Sequence, residues 1–166
     1  DSAEITNLSA SHIAVLTSAQ LNSLTSEAIG GLTNDQIQAI STGAVKGLDD
    51  DRIAGLTSTQ MSALTTAQAK VLTAAQLSVM TSDHLPNLSV SAVAALTSAQ
   101  FTGVTDSAVI SAMTADQIKA LNTSVIASLT DDQAVALTAD QAAALTTAQA
   151  KVLTAASLTA MDSTQL

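Results

Sequence analysis

Apolar residues recur along this chain every eight positions, and a small polar residue directly follows each one. The apolar position runs Leu8, Leu16, Leu24, Leu32, Ile40, Leu48, Leu56, Leu64, Leu72, Met80, Leu88, Leu96 and Val104. After one extra residue it resumes at Met113, Leu121, Leu129, Leu137, Leu145, Leu153 and Met161. Of the nineteen intervals, eighteen hold eight residues and one holds nine. The unit reads L-T-x-x-Q-Φ-x-a, with Φ apolar and a small. Self-similarity at a fixed period is the signature of a repeat architecture.

Position 2 of the octad identifies the element. Its 21 occupants are all Thr, Ser, Asp or Asn, the residue types whose side-chain oxygen best accepts an orphan N–H at the start of a helix. The predicted N-caps include Thr17, Thr25, Thr33, Thr57, Thr65, Thr73, Thr97, Thr130, Thr138, Thr146 and Thr154. Three residues later, position 5 is Gln or Glu in twelve of the 21 units. That spacing makes a capping box, in which the side chain reaches back to the N–H of the cap. The apolar residues at positions 1 and 6 then fall at the two ends of a hydrophobic staple. This assigns Leu16, Leu24, Leu32, Leu56, Leu64, Leu72, Leu96, Leu129, Leu137, Leu145 and Leu153 to staple and core. Each octad therefore encodes one short helix that starts afresh.

A continuous helix fails on geometry, because eight residues turn through about 800° and wind the apolar stripe around the rod. A β-solenoid fits poorly too, since positions 1 and 6 would point to opposite strand faces and Ala and Gln are poor strand residues. Helices of six or seven residues are not stable alone, so the units must stack. The sequence predicts an all-α solenoid of about twenty N-capped helices. Position 8 stays small, which lets successive helices approach closely. Position 5 alternates at first, with His12, Ala28 and Ala44 against Gln20, Gln36 and Arg52. That alternation points to two helices per turn, with three as the alternative. At two per turn, twenty units would extend on the order of 90 Å.

A longer period overlies the octad. LTTAQAKVLTAA occurs at residues 64–75 and again at 145–156. The array thus divides into ten-octad blocks at 1–80 and 81–161, with a third beginning at 162–166. The extra residue is expected near 109–112, as a bulge or an extended helix end. The chain opens at position 2 of an octad and closes at position 6, as a slice of a longer array would. A subunit whose ends meet other copies is the alternative.

Composition then narrows the chemistry. The chain is 47% hydrophobic and 11% charged, has one aromatic residue and no cysteine, and carries a net charge of −9. Globular domains are usually about 25% charged. So few bases leave no electrostatic footprint for nucleic acid. No apolar run reaches the length of a membrane span. Acids from Glu27 onward sit at positions 2 to 4 and the four lysines at position 7, matching the helix dipole at both ends. Only Arg52 breaks that pattern.

Candidate chemistry is sparse. His12 and His84 occupy position 5, where they substitute for the capping Gln. Asp49, Asp50 and Asp51 are weak calcium candidates, because they lack the alternating acidic ligands and downstream Glu of a calcium loop. No nucleophile has a base in evident reach, so no enzymatic activity and no cofactor are expected. Rows of Thr hydroxyls suggest ice binding, but the caps occupy those hydroxyls and position 3 is irregular. A binding solenoid would need an exposed, non-repeating patch of aromatics or Arg, for which the chain offers Phe101 and Arg52.

The units LTTAQ, LTSAQ, LTADQ and LTDDQ resemble the tandem "ALTTxQ" octad stretches of very long, acidic, cysteine-free bacterial proteins. The resemblance covers essentially the whole chain. It implies a structural, adhesin-like role at the cell surface or in the extracellular space, and it transfers no functional residues. The expected partners are neighbouring repeats, other copies of the chain, or a host or cell-surface protein or glycan.

Overall fold

The computed structural model describes residues 2–161. They form nineteen α-helices of four to six residues and one 3-10 turn, Leu85–Asn87, with no strand among the described residues. Each octad among the described residues yields one element; the start of a third block, 162–166, lies outside them. The local cause is visible in the backbone. Ile40, Leu64 and Leu72 leave the helical region at ψ 125, 128 and 143°. The caps of the next helices are extended as well, as at Thr65 and Thr73 with ψ 158 and 162°. Two successive extended residues end one helix and begin the next, making a corner.

Position 6 fills the core. Ile13, Leu21, Ile29, Ile37, Ile53, Met61 and Leu77 are all fully buried there. Burying one such side chain is worth about 1.5–3 kcal/mol, against about 1 kcal/mol for a cap. Packing between units therefore dominates, and the caps decide where each unit begins. Position 1 closes the corners: Leu32, Leu56, Leu64, Leu72, Leu96, Leu129 and Leu137 are buried, while Leu16, Leu24, Leu145 and Leu153 are half-buried against the same core.

The stacking has a period of three units. Helix Ala10–Ala14 packs on Asn34–Ala39, which packs on Ser58–Ala63, then Leu85–Asn87, Ser107–Ala112, Asp131–Val135 and Ala155–Ala160. A second column runs from Ser2–Thr6 through Ser26–Gly30, Asp50–Ala54, Ala74–Ser78, Ser98–Phe101 and Thr123–Ala127 to Thr147–Ala150. The third starts at Ser18–Asn22 and continues through Thr42–Lys46, Thr66–Val71, Val90–Ala94 and Ala115–Ala120 to Ala139–Ala143. The solenoid thus has three helices per turn, the alternative rather than the expected two. Alternation at position 5 misleads because it changes chemistry without changing burial: Ala28 and Ala44 are as inaccessible as Gln36 and Gln60. Twenty units in three columns make nearly seven turns, or about 60 Å at helix spacings near 9 Å.

Two further details differ from expectation. The small residues of position 8 accommodate the turn below rather than the next helix: a Cβ on Gly55 would meet Ser26, and one on Gly47 would meet Ser18. The extra residue is also not within 109–112. Helix Ser107–Ala112 is regular and capped by Asp106, which leaves Thr105 as an additional residue between Val104 and the cap. Insertion in the corner is cheaper than insertion in a six-residue helix, where it would rotate the buried face by about 100°.

Candidate functional site

The feature that unites the turns is the glutamine at position 5. At the cap end it behaves as the sequence predicts. Thr17, Thr33, Thr57, Thr65, Thr73, Thr97, Thr130, Thr138 and Thr146 each accept the N–H of the Gln three residues on, and each Gln returns Oε1 to the N–H of its cap. Thr25 and Thr154 cap without a Gln, accepting from Ala28 N and Ser157 N.

The other half of the amide does something the spacing does not announce. Gln60 Nε2 donates to Ile29 O and Leu32 O, both at 2.8 Å. Gln68 donates likewise to Ile37 and Ile40 at 2.7 and 2.8 Å, and Gln76 to Val45 and Leu48 at 2.9 and 2.8 Å. The same 31- and 28-residue offsets recur for Gln100, Gln141 and Gln149. Each acceptor pair brackets a corner one turn below. A carbonyl at a helix end is one of the groups the helix itself leaves unsatisfied, so one amide closes its own helix start and the end of an earlier helix. The amide is buried at Gln36, Gln60, Gln68, Gln76, Gln117, Gln141 and Gln149, with 1–3% of each residue exposed. Gln20, in the first turn, caps Thr17 but remains exposed.

Where Gln is missing, other side chains reproduce parts of the bond pattern. Arg52 donates Nη2 to Leu24 O, and the cap N–H of Asp49 is taken by Asn22 Oδ1 from the turn below at 3.1 Å. At Val125 the cap itself substitutes: Asn122 Oδ1 accepts Val125 N while its Nδ2 donates to Leu96 O at 2.8 Å. His84 accepts Thr81 N at Nδ1 and meets Leu56 O at Nε2, 3.0 Å away. His12 joins only its own capping box with Ser9 and is exposed.

The remaining candidates fall into place around this ladder. Asp49 caps helix Asp50–Ala54, and Asp49 and Asp51 face the Arg52 guanidinium at 3.6 and 3.8 Å. That cation occupies the neighbourhood the calcium reading needs, and among the described residues no group of three or more His, Asp or Glu is placed to hold a metal ion. Phe101 is buried in the core and Arg52 is spent on Leu24 and its carboxylates. Neither offers an exposed anchor. A groove of about 590 Å³ lies beside the inserted Thr105 and is lined by Thr102, Ser107, Ser128, Asp132 and Val135 among others. No helix is long and apolar enough to cross a membrane among the described residues.

A protein-family profile described as the ALTTAQ repeat matches residues 29–66 and 110–147. Both matches lie on the capped octads described above, consistent with a tandem ALTTxQ-type repeat region. No curated protein and no solved structure matches the chain.

Proposed function

We propose that this tandem ALTTxQ-type array is a non-enzymatic structural segment: a stiff spacer, stalk or wall element of a bacterial secreted or cell-surface protein of the adhesin type. One observation carries the reading. The caps, and the glutamines wherever position 5 carries one, spend their hydrogen-bonding capacity within and between turns. Selection for such a ladder is selection for a regular rod. Nearest-neighbour stacking also makes length additive, since each three-octad turn contributes one further interface. The −9 charge fits the same picture, because carboxylates at helix starts and lysines in last turns favour the helix dipoles and keep the rod soluble.

Small-angle scattering and negative-stain microscopy of the purified chain test this. A rod about 60 Å long is expected, lengthening in proportion when octads are added in threes. A compact globule, or a length indifferent to added turns, would overturn it. A second reading, a glycan- or protein-binding module, is favoured by the groove at Thr105, where an extra residue enters the corner and hydroxyls and Asp132 line the space. Saturable binding in a glycan array, lost on deleting Thr105, would support that reading.

A further inference from the structure

The eleventh unit departs from the rest. It forms a three-residue 3-10 turn with Pro86 in place of an α-helix, and its position-5 residue is His84. His84 is 8% exposed. Its two ring nitrogens do the work of a glutamine amide. Thr81 N–H can only donate, so Nδ1, 3.2 Å away, must accept. Leu56 O can only accept, so Nε2, 3.0 Å away, must carry the hydrogen. Both contacts are satisfied by one species alone, the neutral ring protonated at Nε2. We infer that His84 makes this unit a pH-sensitive joint in the solenoid, closed by the neutral imidazole and loosened when the ring takes up a proton.

Adding a proton at Nδ1 sets N–H against the Thr81 N–H. The Thr81 hydroxyl, which also accepts Asp83 N at 3.2 Å, could take that hydrogen only over a long 3.4 Å contact. The surroundings provide no compensating charge. Helices Ser58–Ala63 and Ser107–Ala112, packed on either side, contain no titratable residue. Asp106, which caps the second, gives its carboxylate to Ala108 N at 2.9 Å. The sequence neighbours Ala74–Ser78 and Val90–Ala94 are also free of titratable groups. Asp83 is exposed on the same segment, and Arg52, before Leu56, is paired with Asp49 and Asp51. The unit is also lightly held. Gln60, Gln68 and Gln76 each place at least two bonds on the corner below, whereas His84 places one. The contacts to Thr81 and Leu56 together need the neutral ring, so proton uptake by the imidazole breaks the one at Thr81 and loosens the joint.

The test is amide hydrogen exchange, corrected for intrinsic rates, together with 15N spectra of the histidine ring. A His12→Gln background leaves one histidine. Protection at Thr81 N–H should fall by about tenfold between pH 8 and pH 5.5, while Thr65 N–H, held by Gln68, should not change. In His84→Gln, which installs the residue the array uses elsewhere, Thr81 should keep its protection at both pH values. At pH 8 the ring should be neutral with hydrogen on Nε2. Unchanged protection in the parent, an equal fall in His84→Gln, or hydrogen on Nδ1 would each overturn the inference.

Discussion

Gln68 donates its side-chain amide to the carbonyl of Ile37, at 2.7 Å and thirty-one residues away, while its oxygen accepts Thr65 N at 2.9 Å. The capping box alone admits Glu as readily as Gln. The second bond does not, because a carboxylate has no hydrogen to give. This explains why the buried position-5 residues that close a box are Gln throughout.

Gln68→Glu is therefore expected to cost about 3 kcal/mol at neutral pH, since it sets a buried charge against Ile37 O and Ile40 O and removes their donor. Burial and the facing carbonyls raise the introduced carboxyl above its unfolded value. A raised group contributes its stability below the unfolded value and loses it as pH rises, so the defect should shrink at pH 4, where a protonated acid donates one bond. Gln20→Glu, exposed and without an inter-turn bond, should change stability by less than about 0.5 kcal/mol. Urea unfolding at pH 7 and pH 4 measures both; equal costs for the two variants would refute the inter-turn role.

The cap register can be checked separately. Thr73 accepts Gln76 N at 3.1 Å, and Thr73→Ala should cost about 1 kcal/mol. Thr66 is an exposed position-3 residue with no capping bond. Thr66→Ala should be close to neutral. Matching losses in thermal unfolding would mean that the octad frame is misplaced by one residue.

The contrast between Thr73 and Gln68 also marks what the sequence could reveal. The caps, boxes and staples are relations over three to five residues, and a residue type at fixed spacing is enough to read them. The number of helices per turn is a relation over 24 residues, and no local preference encodes it. Ala28 and Gln36 occupy equivalent buried places with unlike chemistry, so the pattern that seemed to count helices counted something else. Gln76 could be read as a box residue from Thr73, yet its bonds to Val45 and Leu48 needed the turn to be known. Asn122 shows the same limit. As a cap it is ordinary, and only the stacking reveals that its amide reaches Leu96 where Val125 cannot.

Arg52 is the least comfortable occupant of position 5. Its Nη2 reaches Leu24 O, but Nε is buried without a hydrogen-bond partner. The ion pairs to Asp49 and Asp51 are with carboxylates that are largely solvated, and such pairs contribute little. Arg52→Gln restores the common residue, satisfies the corner and removes the unpaired donor. It should leave stability unchanged or raise it by about 1 kcal/mol. A loss of that size in urea denaturation would show that the guanidinium has a role the ladder does not account for.

Glycine substitutions separate the inter-turn contact from helix propensity. Gly103 is buried, and a Cβ there would collide with the backbone carbonyl of Ala74 in the turn below. Backbone cannot rotate away as a side chain can, so Gly103→Ala must spread the two turns apart. The expected cost is about 3 kcal/mol, concentrated at helices Ala74–Ser78 and Ser98–Phe101. Gly43, in helix Thr42–Lys46, is exposed, and a Cβ there meets nothing within 4 Å. Gly43→Ala should instead stabilise the array by about 0.5–1 kcal/mol, through lower backbone entropy in the unfolded chain. Thermal unfolding of the pair gives opposite signs if position 8 is the place where turns touch. A harmless Gly103→Ala would mean that the turns are spaced more widely than three stacked columns allow.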